Sequence, residues 1–149
     1  MLKGSEITAA IVTKLQLISA LVAALGDRER IYAYTDSFSD STNIFDALFA
    51  MKRPAVMVAW DSTTLPRNRW EHAIDIYIMP GTESSSAAIS DAIIDGTATG
   101  DPLRFYDMRL HSSCDPMQFR SLSRVPLAVR PDAVIEYFKL SFTLAEIGG

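Results

Sequence analysis

The run AVIEYFKLSFTLAEI, residues 133–147, constrains this chain more than any other stretch. Val134, Phe138, Leu140, Phe142 and Leu144 share one face, and Tyr137, Lys139, Ser141 and Thr143 share the other, with Ile135 at the start. That is the period of a β-strand with one face in a core. A final strand this long is expected inside a sheet, where both backbone edges find partners. Its apolar face then needs a second layer to cover it. With 149 residues, the chain is expected to form one domain, 1–149, able to bury a core without crosslinks.

Other segments supply candidate partners. PAVMVAW, residues 54–60, alternates Val56, Val58 and Trp60 against Ala55, Met57 and Ala59. Residues 69–79 form the next strand, and two strands this close pair most simply as an antiparallel hairpin across DSTTLPRNR. RIYAY, residues 30–34, is a short strand. FRSLSRVPLAV, 119–129, is a strand interrupted by Pro126, which requires an edge or a bulge. RPDA makes the turn that follows.

Two segments read as helices. Over residues 6–25, Ile7, Ile11, Leu15, Ile18, Val22 and Leu25 follow helical spacing, and Leu17 and Leu21 widen the stripe. Ser5 is the expected N-cap and Gly26 the stop. In 81–96, Ala88, Ile89, Ala92 and Ile93 make a narrow stripe, Ser84 or Ser85 caps it, and Gly96 ends it. IFDALFAMK, 44–52, reads as a helical turn capped by Asn43. Residues 35–43 and 97–118 read as loops, with LRFYDMRL a short strand inside the second. Helices and strands do not alternate regularly. The expected class is therefore α+β, a mostly antiparallel sheet with two or three helices packed on one face, in two layers.

Composition narrows the function classes. Charged residues are 21%, hydrophobic residues 48%, and the net charge is −4, so disorder and a broad nucleic-acid surface are both disfavoured. The single cysteine, Cys114, rules out an intrachain disulfide and suits a reducing cytoplasm. The N-terminal stripe is broken by Thr8, Thr13, Lys14, Gln16 and Ser19, unlike a signal peptide, and no run is long and apolar enough to span a membrane. A soluble, unexported protein is expected.

Two clusters invite a chemical reading. His72 lies between Glu71 and Asp75, as a general base would beside its acid. Strand alternation separates them, however: Trp70, His72, Ile74, Ile76 and Ile78 share one face, and Glu71, Ala73, Asp75 and Tyr77 the other. The plainer reading is a histidine near the end of a buried row, its ring hydrogen-bonded to backbone. RLHSSCDP, 109–116, holds His111 and Cys114, a pairing that cysteine nucleophiles use only when it forms in space. A polar loop with one incidental thiol is the plainer reading there. Phosphate-loop, dinucleotide, nucleophile-elbow and EF-hand patterns do not occur. No catalytic residue, cofactor or metal site is assigned.

Taken in order, the layout resembles the tail-terminator and tail-completion proteins of long-tailed bacteriophages. The resemblance covers nearly the whole chain. It rests on the N-terminal amphipathic helix, RIYAY, the P-A-V-x-V strand at 54–58, the H-x-I-x-I-x-I strand at 72–78, the helix SSAAISDAIIDG and the closing Y-x-x-L-x-F strand at 137–142. It implies a non-enzymatic virion protein at the tail–neck junction, assembled in the bacterial host cytoplasm. It implies a homo-oligomeric ring, usually a hexamer, that caps the tail tube, ends its polymerisation and docks the head-side connector. Genomic DNA passes the channel without specific binding, and no membrane is involved. The 35–43, 61–69 and 97–118 loops are the expected contact segments, with Arg67, Arg69, Glu71 and Asp75 as candidate interface residues. Two alternatives stand beside this: another neck protein, such as a head-completion or connector component, and a small enzyme or ligand-binding domain using His72 or Cys114.

Overall fold

The computed structural model describes residues 1–34, 54–81, 86–97, 103–130 and 133–146. Among these, five strands form one sheet in the order β1-β2-β3-β5-β4. The strands are β1 (Ile31–Ala33), β2 (Ala55–Thr64), β3 (Glu71–Met79), β4 (Gln118–Arg130) and β5 (Ala133–Ala145). β1 runs parallel to β2, and every other pairing is antiparallel. Three helices among the described residues accompany the sheet: α1 (Gly4–Gln16), α2 (Ser19–Leu25) and α3 (Ser86–Asp95). The class is α+β, as the patterning requires. The expected 35–43 loop, 44–52 turn, Asn43, Ser84 and Ser85 caps and the centre of the RPDA turn lie outside the described residues.

β5 sits between β3 and β4, in the interior position its alternation calls for. Leu140, Phe142 and Leu144 join Val56, Val58, Ile74, Ile76 and Ile78 beneath the helices, all at or near zero exposure. β4 is an edge among the described strands, with irregular register at Phe119/Ser121 and Pro126/Ala128. Both placements expected for Pro126, edge and bulge, therefore occur together. A proline has no N–H for a ladder, and a bulge absorbs the missing bond.

The single helix expected over 6–25 is two helices bent by 89°. The break falls at Leu17 and Ile18, where Ile18 takes an extended ψ of 104°. This bend explains the wide stripe. Ile7, Ile11 and Leu15 of α1 face β1 and β2, whereas Leu21 and Leu25 of α2 pack towards α3. Leu17 is left 46% exposed at the corner. No single described helix is long and apolar enough to cross a membrane; α1 and α2 pass that test only as a bent pair, with their stripe in this core.

The expected caps are partly revised. The N-cap of α1 is Lys3, two residues before the expected Ser5: the Lys3 N–H donates to Glu6 Oε2 at 2.8 Å, half of a capping box. Gly26 ends α2 at φ 85°, in the left-handed region that favours glycine. Gly96, after α3, has a different reason. A Cβ there would collide with the Ala92 carbonyl oxygen and lie 2.6 Å from Ile18 Cγ2, so glycine lets the two helix ends close.

LRFYDMRL is not a strand. Phe105–Asp107 is a 3-10 turn, held by a 2.8 Å bond from Arg104 Nε to Asp107 Oδ2. Phe105 and Tyr106 are both buried, and Phe105 packs edge-on to Phe142 at 5.7 Å. Phe105 and Tyr106 both pack against Phe142, whereas consecutive residues of a strand point to opposite faces, so the backbone turns here.

The far face of the sheet also buries apolar side chains. Ala55, Met57, Ala59, Tyr77, Met79 and Tyr137 form a second cluster, with Tyr32 and Tyr34 packed against it. Two-face burial explains why β2 reads as nearly continuous apolar sequence.

Candidate functional site

Four parts of the chain meet at the Glu71 end of β3. Trp70 precedes β3, His72 is its second residue, and Glu146 follows β5. The Glu146 N–H donates to the Trp70 carbonyl at 3.0 Å, and the Asp115 N–H donates to the Ala145 carbonyl at 2.9 Å. Cys114 bridges to Glu146. The N-terminus arrives above, where the Leu2 N–H donates to Glu146 Oε1 at 2.8 Å.

His72 is wholly buried on the helix face, as alternation places it. Its acid partner is neither Glu71 nor Asp75 but Glu146, with Nε2 and Oε2 3.1 Å apart. The expected bonds to backbone are also replaced: Nδ1 lies 2.7 Å from Thr63 Oγ1, the cross-strand neighbour on β2. The Trp60 indole, which can only donate, reaches that hydroxyl at 2.8 Å. One consistent assignment satisfies the row. Trp60 donates to Thr63, the Thr63 hydroxyl donates to Nδ1, the ring donates from Nε2 to Glu146, and Leu2 donates to the other carboxylate oxygen.

Burial pushes the Glu146 carboxyl up, but the Leu2 N–H, the His72 hydrogen bond and the nearby positive charges outweigh it, so the net shift is downward. An acceptor with two donors and a basic neighbour is held ionised in this way. Trp60 stays on the helix face but at its rim, 42% exposed, after which the β2 register shifts before Ser62. Gly4 lies against its ring, where a Cβ would be 2.9 Å from Cγ and Cδ2.

The four candidate interface residues lie apart. The β2–β3 connection is shorter than the expected 61–69 loop, because β2 continues to Thr64 and Pro66–Asn68 make a 3-10 turn. Arg67 sits at its exposed tip with φ 54° and ψ 39°. Arg69 forms an ion pair with Asp115, both about half exposed. Glu71 pairs in register with Thr64 and Ala145. Asp75, on the far face, accepts from Ser141 Oγ at 2.8 Å. Burial raises the Asp75 carboxyl, against the lowering by Ser141 and Lys139. Among the described residues, no hydrogen bond or ion pair joins these four to each other.

His111 and Cys114 are neighbours without a nucleophile's geometry. The Cys114 N–H donates to the His111 carbonyl at 3.0 Å, but the ring Nδ1 turns to Ser113, accepting from its N–H at 3.1 Å. Cys114 is buried, and its thiol is pushed up chiefly by that burial, the reverse of activation. Among the described residues, no three His, Cys, Asp or Glu side chains group as metal ligands.

Sequence reasoning missed Glu146 and Thr63. Thr63 fell inside the expected 61–69 loop, and only the continuation of β2 to Thr64, past a register shift, sets it opposite His72. Glu146 carried no local signal, because a carboxylate beyond a strand end gives no hint of which buried base it meets.

Comparison with protein-family models and with curated proteins yielded no match.

Proposed function

We propose that this protein is a structural component of a long-tailed bacteriophage virion, a tail terminator that acts through surfaces. On this reading, copies close a ring, usually of six, that caps the tail tube, stops its growth and receives the head-side connector. Head-to-tail contacts close a ring when the rotation between copies permits.

The observation that carries this reading is the layout on which the resemblance rests, realised as one sheet: helix, short parallel strand, hairpin, helix and two 13-residue strands. The edge strand β4 exposes Phe119 at 40% and Leu122 at 45%, apolar side chains suited to a contact. The bulges and Pro126 on β4 discourage simple strand addition, so this reading places side-chain packing before backbone pairing at that edge. Another neck protein would share these features and differ in its order of assembly.

The purified protein, examined by light scattering and negative-stain imaging with and without tail-tube protein, tests this. Rings that bind the ends of tubes in the absence of heads are expected. A strict monomer at high concentration, alone and with tube protein, overturns it; rings that bind only heads favour the other neck role.

One observation favours a second reading. Thr63, His72 and Glu146 stand in the order hydroxyl, imidazole, carboxylate that nucleophilic hydrolases use. Against it, the hydroxyl already accepts from Trp60, and a cavity between the first turns of α1 and the end of β5, lined by Leu2, Ile7, Leu110 and Leu144 among others, includes neither Thr63 nor His72. Ester turnover lost in both Thr63→Val and His72→Asn, with the fold kept, would favour the enzyme.

A further inference from the structure

Residues 1–3 are tied to the end of the sheet through one carboxylate. Glu146 Oε1 accepts the Leu2 N–H at 2.8 Å, and Oε2 lies 3.1 Å from His72 Nε2. The hydrogen bonds of Lys3 stay within the first turn of α1, to Glu6 and Ile7. Leu2 is only partly buried, and a cavity of about 280 Å³ lies beside it, so its apolar packing is incomplete. Gly4 follows, seated against the Trp60 ring. Glu146 therefore holds down a loosely packed segment that covers a rim tryptophan.

The weak side of this junction is identifiable. In acid the imidazole is protonated and both its nitrogens donate. A proton added to Glu146 then meets a donor at either oxygen, so one of the two contacts must open. His72 is fixed by pairing on both sides, opposite Thr63 of β2 and Leu144 of β5. Leu2 lies outside every described helix and strand, and such a segment opens locally at little cost. Leu2 is the partner that leaves.

We propose that Glu146 is an acid-operated latch: protonation of its carboxyl frees residues 1–3 and lifts Gly4 from the Trp60 ring while the five strands stay paired. The groups facing the carboxyl are His72 of β3, the Leu2 N–H, the Met1 amino group and the buried Cys114, whose thiol is kept neutral. The other titratable groups nearby are committed elsewhere: Glu6 to Lys3, His111 to Ser113 and Asp115 to Arg69. The carboxyl is lowered on folding, so the latch is closed above the ordinary carboxylate range and opens as pH falls through the depressed value. The device belongs to the single chain and does not depend on ring formation.

Nitrogen relaxation of the full chain through the acid range tests this, with the Glu146 carboxyl followed by its own carbon shift. Order parameters at Leu2 and Lys3 should fall from about 0.85 to below about 0.6 in step with that shift. Those of β3 and β5 should hold, and the Trp60 indole N–H resonance should move with Leu2. Glu146→Gln has no carboxyl to titrate and should show the same order parameter at Leu2 in neutral and acid solution. A rigid Leu2 after Glu146 is protonated, loss at Leu2 only together with the strands, or an unchanged acid release in folded Glu146→Gln overturns the proposal. If Glu146→Gln does not fold, the order of loss in the parent chain decides.

Discussion

His72 and Glu146, 74 residues apart, meet at 3.1 Å with the histidine fully buried and the glutamate nearly so. The pair closes the open end of the sheet, because the same carboxylate also holds Leu2. Removing one partner of such a pair leaves an uncompensated buried group. His72→Ala is expected to cost about 2–5 kcal/mol in denaturant unfolding, from the cavity left behind and the hydrogen-bond partners it strands. Glu146→Gln keeps an acceptor for Leu2 but turns an amide NH2 towards the Nε2–H donor, so it is expected to cost about 1–3 kcal/mol.

Two carboxylates shift in opposite directions, and their pH signatures oppose each other. Glu146 is lowered on folding, so its contribution is present above the ordinary carboxylate range and is lost as pH falls through its depressed value. Asp75 is raised, so its contribution is present below the ordinary range and is lost as pH rises through its elevated value. Unfolding measured across the acid range should show Glu146→Gln flattening the acid limb. Asp75→Asn, still able to accept from Ser141, should raise stability at neutral pH by up to about 1 kcal/mol.

Burial governs Cys114. Its thiol is enclosed and held in the neutral form, so alkylation in the native state should be far slower than in denaturant. Mass spectrometry after timed iodoacetamide exposure checks this. Cys114→Ser should leave any assembly intact. Loss of an activity on that change would instead support a nucleophile.

Arg67 and Asn68 are consecutive residues with positive φ, 54° and 61°. Asparagine tolerates that region, but arginine is uncommon there. Arg67→Gly should match or slightly exceed the parent in melting temperature. Arg67→Val, β-branched in the same conformation, should lose about 1–2 kcal/mol. Equal stability of the two variants would show that the turn relaxes.

Periodicity made the sheet legible because burial on one face leaves a mark every second residue. The alternation of β3 and β5 could be read this way, and Pro126 by itself marked the troubled backbone of β4. The α1–α2 bend was not legible, since two short stripes around a corner imitate one wide stripe. The 3-10 turn at Phe105 was likewise hidden, because its aromatics answer to Phe142 and not to a local period.

The sequence by itself determined which strand faces are apolar, that His72 shares no face with Glu71 or Asp75, and that an α+β sheet results. Only the tertiary structure decided what His72 meets, which carboxylate is held ionised and where a cavity opens. The reason is range: alternation is a property of neighbours along the chain, whereas a buried hydrogen-bonded pair joins groups that only the closed sheet brings together.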